Sequence, residues 1–174
     1  MMGSGKSTIG QLLARRLGTR FVDCDRLIEE RSGVSVATIF ELEGEASFRK
    51  RESALIDELT QQDQLVLATG GGAVLLEENR NRMHERGLVI YLEASLEELL
   101  RRLKGDRSRP LLSGQDRAGR VEQLLISRAP LYRQCAHLTF ASSAAGPRQL
   151  AQRIATAPQV AALFPNATAT PELK

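Results

Sequence analysis

Residues 3 to 8 read GSGKST, the second half of the phosphate-binding pattern GxxxxGK[ST], and the helix-spaced apolar residues Ile9, Leu12, Leu13 and Leu17 follow at once. Gly3, Ser4 and Gly5 form a turn whose backbone N–H groups can converge on an anion, and the start of the helix adds a partial positive charge. Lys6 supplies a mobile cation, while Ser7, followed by Thr8, offers a hydroxyl to Mg2+. The first glycine of the full pattern would stand one place before Met1. A helix with this apolar spacing, directly after the motif, argues against a chance match.

Three other stretches carry chemistry. In FVDCDRLIEE, Asp23 and Asp25 end a short strand, where alternate side chains point the same way, at the carboxyl edge used by α/β proteins for ligands. A helix cap at Asp25 explains one aspartate but not two. One carboxylate can hold a metal's water shell while the other contacts a substrate hydroxyl. In ATGGGAVL, Gly70, Gly71 and Gly72 follow an apolar run; a turn needs one or two glycines, and three favour a surface that a ligand approaches closely.

Arginines form the third group. Arg49 in GEASFRKRE and Arg128 in SRAPLYRQ have the side chain best matched to a small carboxylate, and Arg109 in SRPLL suits a lid that closes over phosphates. Nine basic residues against three acidic ones between positions 101 and 133 fit a triphosphate as well as a solvated helix face. Together these parts support phosphoryl transfer, in which positioning and charge neutralisation do most of the work. His84 and His137 have no partner at nucleophile or metal spacing and are read as structural.

The elements that must hold these residues alternate between strand and helix. Strands are expected at RFVDCD, 65–69, 88–92 and HLTFA, and helices after GKST, over 25–32, in two pieces broken near Gly44, and over 77–86, 95–103, 120–134 and 147–157. Ser95 and Glu98 form a capping box. This is the signature of a parallel sheet covered on both faces. Residues 104–119 read as a mobile lid and 158–174 as a disordered tail, leaving one domain over 1–157.

A chain of 174 residues with 42% hydrophobic and 26% charged residues suits one globular domain. It has no apolar run of transmembrane length and no signal-peptide layout, so the cytoplasm is the expected compartment. A net charge of +3 does not indicate nucleic acid, and Cys24 and Cys135 are read as reduced packing residues.

In this order and at these separations, GSGKST, FVDCD, IFELEGEASFR, ATGGGAV, RPLL and RAPLY resemble shikimate kinase, over residues 1 to about 155. The resemblance implies a three-layer α/β P-loop kinase fold and transfer of the γ-phosphate of ATP to the 3-hydroxyl of shikimate, with Mg2+ as cofactor, in a monomer with no nucleic-acid or membrane partner. It implies that residues 3–8 bind phosphates, that Ser7 ligates Mg2+ with Asp23 acting through water, and that Asp25 binds a shikimate hydroxyl and is the candidate base. Arg49 and Arg128 would hold the carboxylate beside Gly70, Gly71 and Gly72, and Phe40, Phe48 and Glu52 would complete the pocket. Arg109 would meet ATP from the lid, Arg102 would stack near adenine, and Pro147 and Arg148 would lie around the base, although ASSAAGPR departs from the family there.

The implied strand order is 2-3-1-4-5, and the central first strand is missing from this chain. Such a strand carries about four buried aliphatic side chains worth roughly 1.5–3 kcal/mol each. The expectation is therefore that the natural protein starts upstream of Met1; VAALF in the tail is a poor substitute. The competing readings are a gluconate kinase of the same broad fold and a non-catalytic nucleotide-binding protein.

Overall fold

The computed structural model describes residues 1–104, 116–142 and 146–165. Its elements are α1 (Lys6–Leu17), β1 (Arg20–Asp23), α2 (Cys24–Ser32), α3 (Val36–Leu59), β2 (Leu65–Ala68), a 3-10 turn (Ala73–Leu75), α4 (Glu77–Arg86), β3 (Ile90–Glu93), α5 (Leu96–Leu103), α6 (Arg117–Cys135), β4 (Leu138–Ala141), α7 (Pro147–Ala155) and α8 (Pro158–Leu163). β1 pairs parallel with β2, Arg20 opposite Leu65, and β3 pairs parallel with β4, Ile90 opposite Leu138. Among the described residues β2 and β3 are not bonded to each other. The two pairs correspond to the outer pairs, 2-3 and 4-5, of the order 2-3-1-4-5.

Side-chain alternation sorts the strands into two apolar layers. Leu65 and Leu67 of β2 and Tyr91 of β3 pack with Leu55, Ile56, Leu59 and Leu99, on the side of α3, α5 and α6. Val66, Ile90, Leu92, Leu138 and Phe140 pack the other way, with Ile9 and Leu13 of α1 and Leu150 and Ile154 of α7. Period-two alternation of apolar residues on both faces is what a sheet sandwiched between helices requires.

The local readings mostly correspond to observed elements. Gly44, at φ 81° and ψ 169°, interrupts α3, as the break in the pattern predicts. Ser95 caps α5 by accepting from the Glu98 N–H, but the Glu98 carboxylate does not complete a box; it binds Arg101 and Arg102 at 2.7 and 2.6 Å. Two expectations need correction. Residues 158–163 are helical, with Pro158 at the first turn and Val160 and Phe164 packed against the α1 and α7 layer, so the disordered reading fails there. α6 begins at Arg117, capped by the Asp116 side chain, so the lid range ends earlier than 119. The rest of the lid, with Arg109, and the end of the tail lie outside the described residues.

Candidate active site

The phosphate loop turns through two glycines of positive φ, Gly3 at 73° and Gly5 at 90°, and Gly5 then caps α1. Lys6 Nζ donates to the Met1 carbonyl at 2.8 Å, which also accepts from the Ser4 hydroxyl at 2.8 Å. The lysine thereby lies across its own loop. Ser7 Oγ donates to Asp23 Oδ2 at 2.5 Å.

The two aspartates are placed differently from the sequence expectation. α2 starts at Cys24, so Asp23 is the cap, its Oδ1 accepting from the N–H groups of Asp25 and Arg26 at 3.1 and 3.4 Å. Asp25 sits in the first helical turn instead of on the strand, and turns toward the three glycines. A β-carbon on Gly70 would meet Asp25 Oδ1 at 2.9 Å and would overlap Glu52 Oε1. Only a glycine lets both carboxylates come this close to the backbone.

Glu52 is fully buried on α3. Its Oε2 accepts from Arg49 Nη1 at 2.6 Å, while Oε1 has no hydrogen-bond partner among the described residues. Burial pushes its carboxyl pKa upward; Arg49 pulls it down, and Asp25 adds to the rise. Arg49 is held from a second side by Glu45 at 2.8 Å, and its guanidinium lies flat where a β-carbon of Gly72 would be. Its carbon Cζ stands 5.2 Å from the centre of the Phe48 ring, which packs on Phe40 at 4.9 Å. Arg128, also buried, donates from Nη1 to the Gly71 carbonyl at 3.2 Å.

Two supports of this floor were not legible in the sequence. Tyr132 donates its hydroxyl to the same Gly71 carbonyl at 2.5 Å, stacks on Tyr91, and lies 3.8 Å from Met1 Sδ in the phosphate loop. Its pKa is pushed up to about 12, chiefly by burial, so it stays a donor. The signal was an aromatic residue one turn after Arg128, on the same helix face. Buried Asn79 accepts from Ser53 at 2.7 Å and donates to the Ala73 carbonyl at 3.1 Å, tying the end of the glycine segment to α3.

On the other side of the loop, a cleft of about 550 Å³ is lined by Gly5, Thr8, Arg101, Arg102, Ser142 and Pro147. Arg102 is engaged with the Gly3 carbonyl at 3.3 Å, the Ser142 carbonyl at 2.8 Å and Glu98, so it braces the loop against the end of β4. Arg148 is exposed and outside this lining. The histidines stack at 4.0 Å, with Nδ1 of His137 accepting from the Val89 N–H, in keeping with a structural role. Both cysteines are free and buried. No group of three or more metal-binding side chains occurs among the described residues.

The sequence model of the shikimate kinase family matches residues 2–158. The chain belongs to the shikimate kinase family. It is an enzyme of the α/β P-loop kinase fold, a phosphotransferase acting between ATP and shikimate. A shikimate kinase from Bordetella avium is 55% identical over 144 residues, covering 83% of this chain and 69% of that protein. One from Nitrosospira multiformis is 48% identical over 155 residues, covering 89% of this chain and 80% of the relative. Among solved structures, shikimate kinase from Acinetobacter baumannii in complex with shikimate superposes with a TM-score of 0.86 at 44% identity, covering 88% of this chain and 86% of that one.

Proposed function

We propose that the chain transfers the γ-phosphate of ATP to the 3-hydroxyl of shikimate in the pathway to chorismate, with the acid held on the Gly70–Gly72 floor and the nucleotide in the cleft beside Arg102. One observation carries the assignment. Two arginines and two carboxylates converge on three consecutive glycines: Asp25 and Glu52 at Gly70, Arg128 at Gly71, Arg49 at Gly72. A small ring with one carboxylate and several hydroxyls matches that set. Paired N–H groups bind the carboxylate, and carboxylate oxygens accept from hydroxyls. Gluconate, a flexible sugar acid, has no ring to lie against the glycine floor.

Each residue then has a physical task. Arg49 and Arg128 fix the acid end, which sets the distance of the hydroxyl from the phosphate loop. Asp25 accepts the proton of the attacking hydroxyl, a modest demand because the transition state of phosphoryl transfer is loose. Glu52 keeps Arg49 oriented, and its open Oε1 is a second acceptor for a substrate hydroxyl. Lys6 exchanges the Met1 carbonyl for phosphate oxygens, joined by the N–H groups of residues 3–8. Thr8 and Pro147 line the nucleoside cleft, Arg148 adds charge at its outer edge, and Arg109 is the candidate lid cation.

Ser7 Oγ and Asp23 Oδ2, 2.5 Å apart, fit Mg2+, which takes one or two protein oxygens alongside phosphates and water. When bound, the ion supplies charge neutralisation for the phosphates. The reading includes a monomer working in the cytoplasm without nucleic-acid or membrane partners; among the described residues no helix is long and apolar enough to cross a membrane.

Calorimetric titration with shikimate and with its methyl ester tests the arginine assignment. Shikimate is expected to bind at least tenfold more tightly, since the ester loses the anion that two guanidinium groups face. Equal affinities would contradict it.

A further inference from the structure

Apart from Glu172, every aspartate and glutamate lies between Asp23 and Glu122, so residues 1–22 and 123–171 carry no acidic side chain. Those stretches supply α1, α7 and α8, which share one layer: Ile9, Leu13 and Leu17 pack with Leu150 and Ile154, and Val160 joins them. The arginines of this layer are left without counter-charges. Arg15, Arg16, Arg148 and Arg153 form no hydrogen bond or ion pair among the described residues. Every other described arginine is engaged, as in the Arg31–Glu58 fork at 2.6 and 2.7 Å.

The buried faces fix where these side chains lie. On α1 the buried residues are Ile9, Gly10, Leu13, Ala14 and Leu17, so Arg15 projects from the far side and Arg16 lies half-buried on the flank. On α7 Leu150, Ala151 and Ile154 are buried, which leaves Arg148, Gln149, Gln152 and Arg153 exposed. The guanidinium groups thus share the outer surface of one helix pair, and Leu163 at the end of α8 adds an exposed apolar spot. A surface that serves solubility alone mixes the two signs, as α2 to α4 do, where Arg26, Arg51, Arg82 and Arg86 each meet a carboxylate. Unpaired like charges on adjoining helices instead repel one another and attract anions from solution.

We propose that the outer face of α1 and α7 is a docking surface for an acidic segment of another protein, rich in glutamate or aspartate with aliphatic residues among them. The partner's chemistry follows from the face. A guanidinium fork pairs with a carboxylate through two parallel N–H bonds, and Gln149 and Gln152, set between Arg148 and Arg153, can both donate to and accept from a peptide backbone. Leu163 matches an aliphatic side chain. The described part of the layer exposes no aromatic ring on which a nucleic-acid base would stack, and a single exposed leucine is too little apolar surface to hold a helix in a lipid interface. Exposed ion pairs are individually weak, so the contact depends on several acting together and is sensitive to salt. Arg15, Arg16 and Arg153 belong neither to the glycine floor nor to the lining of the nucleoside cleft, so this proposal and the identity of the phosphoryl acceptor can fail separately.

The test adds to the 174-residue chain a fluorescein-labelled peptide of about twelve residues, glutamates interspersed with leucines, long enough to cross two packed helices. Fluorescence anisotropy is expected to show saturable binding at low salt that weakens severalfold as salt is raised. Arg15→Glu/Arg153→Glu is expected to weaken binding at least tenfold, with the helical circular-dichroism signal unchanged because both side chains are exposed. Arg15→Gln/Arg153→Gln, which removes charge without reversing it, should fall between that variant and the parent chain. Arg26→Glu/Arg133→Glu makes the same change in net charge outside this layer, and should bind within about twofold of the parent chain.

Absence of saturable binding overturns the proposal, and so does an equal loss in the two charge-reversed variants, because net charge is then sufficient. A DNA duplex or phosphatidylglycerol vesicles bound more tightly than the peptide, and released by Arg15→Glu/Arg153→Glu, would give the face to another class of partner and overturn it. A chain that is dimeric by light scattering and made monomeric by that variant also overturns it, since a second copy would be the occupant.

Discussion

The glycine floor of the pocket and the gap between β2 and β3 both adjoin β2, and they are built in opposite ways. At the floor, side chains from α2, α3 and α6 crowd onto the backbone until only glycine fits, and Gly71's carbonyl takes hydrogen bonds from both Arg128 and Tyr132. At the gap, the side chains are apolar and the backbone edges have no strand partner among the described residues. Chemistry here is specified by side chains that neighbouring helices deliver; continuity of the sheet is specified by backbone. Substitutions at the floor should therefore act on turnover, and substitutions of apolar side chains on stability, to a smaller degree beside the gap than in the packed core.

The largest separation is expected from Asp25→Asn. If the floor is catalytic, kcat falls by about 10²–10⁴-fold, the usual contribution of a positioned base, while the thermal melt changes little. A steady-state assay paired with calorimetry checks both halves. Next comes packing. Ile56→Ala, at a fully buried site, should cost about 2–5 kcal/mol in denaturant unfolding, whereas Leu65→Ala, whose side chain borders the gap, should cost about 1 kcal/mol or less. Similar costs at both positions would mean that the gap is packed as tightly as the core.

A smaller effect isolates the floor's support. Tyr132→Phe removes one donor from the Gly71 carbonyl and leaves the ring stacked on Tyr91. KM for shikimate is expected to rise about fivefold to tenfold, in line with a lost buried hydrogen bond, with KM for ATP unchanged.

The smallest effect is a trend with pH. The folded-state pKa of Glu52 is raised, first by burial, so between the ordinary glutamate range and that raised value the folded protein holds a proton that the unfolded chain releases. Stability should fall as pH climbs through this window and level off once Glu52 ionises. Melting curves of Glu52→Gln should lack this component, and a parallel decline in both proteins would remove it.

The same contrast explains what the sequence made legible. GSGKST, the paired aspartates and the three glycines stand out in the sequence because their geometry is local: loop shape, helix start and close approach are set by adjacent residue types. Asp25 reads as the end of a strand but lies in the first turn of α2, because the boundary between β1 and α2 depends on Asp23 taking the cap. Tyr132 and Asn79 were missed because their partners, Gly71 and Ala73, are brought to them only by tertiary packing. α8 was missed because PQVAAL is too short for periodicity to stand out, although Val160 and Phe164 are four residues apart. The parallel α/β class was readable from alternation, whereas strand order is encoded by no local pattern.

The central claim is that this floor selects shikimate as the phosphoryl acceptor. It is tested most directly by ADP release from ATP, in the presence of Mg2+, with shikimate or gluconate as acceptor. Shikimate-dependent release, lost in Asp25→Asn and absent with gluconate, is the predicted result. Release that depends on gluconate and not on shikimate would contradict the account.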